Sequence, residues 1–132
     1  MMKSRDHLVR LKRFQMDERR RRLAQIESML ADFARMVVDL DREICAEEQR
    51  SGISDPGHYA YPTFARAAVA RRDNLKRSSD DLKEQLAEAK ALLADAQEEL
   101  RKAESLDGRE KMPAIEAARA ERDAGLGRLA RA

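Results

Sequence analysis

Glu47-Glu48, Asp80-Asp81 and Glu98-Glu99 are adjacent carboxylate pairs, and His7, His58 and Cys45 are the other groups suited to proton transfer or metal binding. General acid–base chemistry needs two such groups turned toward one substrate. Neighbouring residues on a helix point about 100° apart, so each pair reads as solvated helix face. His7 lies near the start of the first helical stretch and His58 in the loop that follows it, roughly the length of that helix apart, too far to share a metal or a proton relay within one chain. Cys45 has no second cysteine to pair with. It reads as an inert small side chain in a reduced compartment. No glycine-rich phosphate loop and no nucleophile elbow occurs. The expectation is a protein that is not an enzyme, with no catalytic residues, cofactor or metal.

The sharpest local feature is Arg19-Arg20-Arg21-Arg22, preceded by Lys12 and Arg13. Such a run displaces counterions from nucleic-acid phosphates in many proteins. Here no aromatic residue interleaves with it for base stacking, and the net charge is only +2. An acidic protein partner and a plain solvated face are the readings that remain. Tyr59, Tyr61 and Phe64 form a second cluster, three of the chain's five aromatics. They either cap the end of a buried seam or form a sticky end for a partner, since aromatics dominate interface energetics.

The elements that position these residues follow from a heptad repeat. Val9, Met16, Leu23, Leu30, Val37 and Ile44 recur every seventh position, with Ile26, Phe33 and Leu40 as companions. After a break the pattern returns as Ala68, Leu75, Leu82, Ala89, Ala96 and Ala103, with Leu86, Leu93 and Leu100. Apolar residues alternately three and four apart form one seam that must be buried against another helix. One loop separates the two seams, so the economical partner is the chain itself. The predicted fold is all-α, a long two-helix antiparallel coiled-coil hairpin over residues 1–107. Helix one spans about 4–50, with Ser4 as N-cap and Gly52 as a left-handed stop. The loop covers 51–61, where two glycines and Asp55-Pro56 concentrate breakers. Helix two spans about 62–107, with Pro62 in its first turn and Asp107-Gly108 at its end. Residues 108–132 read as a weakly helical or disordered tail, in which Pro113 opens a marginal helix with sparse apolar positions (Ile115, Ala118, Leu126, Leu129).

Composition and charge agree. Charged residues make up 39% and aromatics 4%, with no Trp, too few large side chains for a globular interior but enough for a narrow seam. Residues 1–22 carry a net +6, residues 23–51 −4, residues 63–77 +4 and residues 78–107 −5. Antiparallel folding sets +6 beside −5 and −4 beside +4, whereas a parallel dimer stacks like on like. No apolar run reaches the ~18 residues of a membrane span, and the charged start offers no signal-peptide core. The expected location is cytoplasmic, with no direct membrane insertion.

The start Met2-Lys3-Ser4-Arg5, leading into Leu8-Val9-Arg10-Leu11-Lys12-Arg13, resembles that of the flagellar type III export protein FliJ family. Tyr61-Pro62-Thr63-Phe64 opening helix two is also similar, and Ser51-Gly52-Ile53-Ser54-Asp55-Pro56 looks like the loop of its alphaproteobacterial branch. The resemblance covers roughly residues 2–107. It implies a non-enzymatic coiled-coil stalk, peripheral at the base of the flagellum, that engages the hexameric export ATPase and the cytoplasmic domain of the export gate. It also implies assistance to export chaperones. On this reading Arg13, Arg20 and Arg21, all outside the two core heptad positions, meet acids of the ATPase ring. Phe64 and Ala68 match the family's gate contact on helix two, whereas helix one has Asp41, Glu43 and Ile44 where the family carries tyrosines. Nucleic acid is not an expected partner. The alternatives are a generic cytoplasmic scaffold or chaperone, and a hairpin that inserts into RNA polymerase. The latter kind carries an acidic tip and an anchoring domain, neither of which is evident here.

Overall fold

A computed structural model describes the backbone of residues 2–131 and the side chains of 4–108, 118–122 and 124–125. The fold is all-α: α1 spans Met2–Ser51 and α2 spans Thr63–Arg131. Two compact units divide the chain, Met1–Arg20 with Leu92–Ala132, and Arg21–Ala91.

In the second unit α1 turns back through the loop and packs antiparallel on α2. Ile26, Leu82 and Ala89 form one buried cluster, with Leu23, Leu30, Phe33 and Leu86 against it. Leu40, Ile44 and Ala68 form another, flanked by Val69 and Leu75. The side chains of Asp41 and Arg72 meet across the helices at 3.1 Å, and Arg22 donates to Gln85 at 3.2 Å. Arg72 is half-buried on the line that Leu86 occupies two heptads on, and it also donates to Asp73. A charged group at a seam position binds best where its partner carboxylate lies, so it holds the register as well as adding energy.

In the first unit the two helices also run antiparallel. Lys12 pairs with Glu99 at 3.1 Å and Arg13 with Glu104 at 3.4 Å, and Arg5 donates to the Leu106 carbonyl. These pairs join the basic start of α1 to the acidic stretch of α2, as the charge blocks require. In both units every seam residue named from the heptad is buried or partly buried. Burying apolar area at about 25 cal/mol per Å² is what holds the helices together. Each surface ion pair adds less than about 1 kcal/mol.

The helix ends differ from the expected ones. α1 begins at Met2, so Ser4 lies inside it and does not cap it. Its end is as the sequence indicates: Gly52 takes φ 76° and its N–H donates to the Glu48 carbonyl at 2.9 Å. Pro62 stands just outside α2, its carbonyl accepting from Arg66 N–H at 3.0 Å, so it acts as the cap. Helix two does not stop at Asp107-Gly108. Gly108 lacks the positive φ of a left-handed stop, and α2 runs on through Pro113. A glycine inside a helix costs only about 1 kcal/mol, which helix-favouring neighbours such as Arg109, Glu110 and Lys111 offset. The side chains of Ile115, Leu126 and Leu129 lie outside the described residues.

Candidate functional site

The loop builds its own support before any partner is needed. Asp55 Oδ1 accepts from Gly57 N–H at 2.9 Å and His58 Nδ1 from Ala60 N–H at 3.0 Å, while backbone bonds close Asp55 to His58 and His58 to Tyr61. These local turns satisfy donors that a surface loop otherwise leaves to water.

The three loop aromatics divide between the two readings. Tyr61 is buried and caps the seam. Its hydroxyl donates to Glu48 Oε1 at 2.8 Å, and the Arg66 guanidinium lies 5.6 Å from its ring centre. Tyr59 is 94% exposed and stacks only on His58, with ring centres 4.7 Å apart, and Phe64 is 56% exposed. Tyr59 and Phe64 are therefore available to a partner. Ala68 is not. It is 6% exposed and covered by Leu40 and Ile44, which corrects its assignment to a docking surface. A residue cannot fill the seam and meet a second protein with the same methyl group. On helix one Asp41 is engaged by Arg72 and Ile44 is buried, leaving Glu43 exposed on that side.

Desolvation of the Tyr61 phenol, then its hydrogen bond to Glu48, raises its pKa above the ordinary 10.0. A folded-state pKa above the unfolded value contributes stability that is complete below pH 10.0 and is lost as pH rises through the folded value. Alkaline melts should accordingly show a loss of stability in that window that Tyr61→Phe removes. Identical alkaline profiles for the two proteins would detach Tyr61 from the effect.

Along the basic arm, Arg13, Arg20 and Arg21 are exposed. Arg13 pairs with Glu104, and Arg20 reaches Met16 Sδ at 3.5 Å. Lys12, by contrast, is partly buried on its ion pair with Glu99. Each of the three arginines is exposed, so contact with an outside carboxylate does not require the seam to open. Among the described residues no cluster of three metal-ligating side chains occurs, and none of the helices is long and apolar enough to cross a membrane. The surface hollows are shallow. One of 420 Å³ is lined by Ala34, Arg35, Val38, Asp39 and Arg42, all from α1, so no second wall encloses it. Cys45 is an exposed free thiol.

A further feature escaped the heptad. Leu8, Leu11 and Phe14 project from the outer side of α1 and Leu106 from α2, all exposed. Their signal in the sequence was that large apolar residues stand off the seam, between charges. No protein-family model, no curated protein and no solved structure matches this chain.

Proposed function

We propose that the chain is a non-enzymatic coiled-coil stalk of a flagellar-type protein export apparatus. In this reading α1 presents Arg13, Arg20 and Arg21 to acidic residues of a hexameric export ATPase, and the loop end presents Phe64, with Tyr59 beside it, to the cytoplasmic domain of the export gate. Assistance to export chaperones belongs to the same reading. One observation supports it above the others: the apolar seam is used up within the chain, while the arginines and Phe64 remain exposed. An arrangement of that kind transmits or positions through its surface. The start of the chain and Tyr61-Pro62-Thr63-Phe64, which resemble the FliJ family, select export among the functions open to such a surface.

The test is a triple charge reversal, Arg13→Glu with Arg20→Glu and Arg21→Glu. Loss of the exposed Arg13–Glu104 pair removes less than about 1 kcal/mol, so helicity and melting should stay close to those of the native chain. Stimulation of the export ATPase should vanish, motility should fall, and the native stimulation should weaken as salt rises. A folded triple variant that stimulates normally removes the arm from the mechanism. Tight, salt-sensitive binding of the native chain to duplex DNA favours a nucleic-acid role in its place.

A further inference from the structure

The first unit carries an apolar patch that neither the seam nor the basic arm explains. Phe14 is 59% exposed, Leu11 50%, Leu106 44% and Leu8 38%. Leu8, Leu11 and Phe14 follow one another at three-residue intervals, so they cover a contiguous arc of the outer side of α1. Leu8 sits immediately before Val9 of the seam, and Leu106 holds the same flanking place on α2. In an antiparallel pair these flanks lie on one side. The hydrogen bond from Arg5 to the Leu106 carbonyl, at 3.3 Å, ties α2 to the turn of α1 just before Leu8.

We infer that this face is an adsorption site for an anionic lipid bilayer, on which the first unit lies without crossing it. The shape argues for a surface and against a groove. A groove that accepts a helix wraps both of its flanks, but here one flank of α1 is already covered by α2 and the patch continues onto that second helix. What results is broad and convex, and a bilayer interface accommodates it by letting large apolar side chains enter the headgroup boundary. The charges beside it fit the same surface. Arg10 is exposed next to Leu11, and Arg101 and Lys102 lie on α2 just before Leu106, lining with Ser105 a shallow hollow. Three carboxylates of α2 in this stretch are engaged within the chain: Glu99 by Lys12, Glu104 by Arg13 and Glu98 by Arg101. Glu98 is held below the usual carboxylate range, first by its hydrogen bonds from Arg101. Arg10 and Lys102 thus face solvent beside apolar groups, the combination that binds anionic membranes through area and charge together. This inference is tested apart from the export reading, because Arg13 and Arg20 occupy the opposite flank of α1 by heptad position and the substitutions below alter none of Arg13, Arg20 and Arg21.

The experiment is sedimentation of the full chain with phosphatidylcholine vesicles, with and without phosphatidylglycerol. The native chain should pellet with the phosphatidylglycerol vesicles, remain in solution with phosphatidylcholine alone, and be released by high salt. Leu11→Ser with Phe14→Ser should keep the native melt, since neither side chain is in the seam, and lower the vesicle partition coefficient about tenfold or more. Arg10→Glu should weaken binding to the charged vesicles. Absence of pelleting with phosphatidylglycerol overturns the inference, as does pelleting that the double serine variant leaves unchanged. A concentration-dependent dimer in lipid-free solution, abolished by the same two serines, also overturns it by assigning the patch to a second copy of the chain.

Discussion

Ile26→Ala should lower the unfolding free energy by about 2–5 kcal/mol, the range for truncating a buried aliphatic side chain that leaves a cavity. Ile26 is 1% exposed and touches the cluster of Leu82 and Ala89. Truncation there strips apolar atoms from a contact between the two helices of the second unit. Arg35→Ala is the control. Arg35 projects into solvent and pairs only with Asp32 one turn away on its own helix, so its loss should change stability by less than about 0.5 kcal/mol. Urea titration followed by circular dichroism measures both. Phe33 is the larger residue, yet it is only partly buried at the edge of the same cluster. Volume alone therefore does not rank the seam. Equal effects at Ile26 and Arg35 would mean that the seam lies on another face of α1.

The seam was legible because a heptad encodes one physical fact, which side of a helix must leave water. Every residue from Val9 to Ile44 and from Ala68 to Ala103 that the repeat picked out is withdrawn from solvent. The charge blocks likewise foretold Lys12 with Glu99 and Asp41 with Arg72. Helix ends were less legible, since they turn on differences of about 1 kcal/mol per residue between a stop and one more turn. Asp107-Gly108 carries the composition of a stop and still lies within α2. The outer faces were nearly silent. A repeat says nothing of residues that do not take part in it, so Leu8, Leu11 and Phe14 passed as filler between charges. For the loop aromatics, sequence could not say which of three rings turns inward. The answer lies in a contact between Tyr61, near the far end of the loop, and Glu48 in the last turn of α1. The functional assignment drew on likeness in short segments, and such likeness does not register whether a side chain is already occupied in the seam. Ala68 is the case in point.

Ala68→Phe should destabilise the chain by about 1–3 kcal/mol, although it adds apolar surface. Ala68 is packed by Leu40 and Ile44, and α2 contributes only its one methyl group at that place. An aromatic ring there must push Leu40 or Ile44 from its preferred rotamer or move the backbones apart. Phe64→Ala, one turn earlier on α2, should leave stability within about 0.5 kcal/mol of the native value, because the ring stands 56% exposed. The two substitutions thus separate support from display. If gate binding is assayed beside the melts, Phe64→Ala should weaken it at constant stability, and Ala68→Phe should act only as far as it loosens the seam. The reverse pattern, a silent Ala68→Phe melt with lost binding, would return Ala68 to the surface and show that α1 and α2 part near the loop when the partner docks.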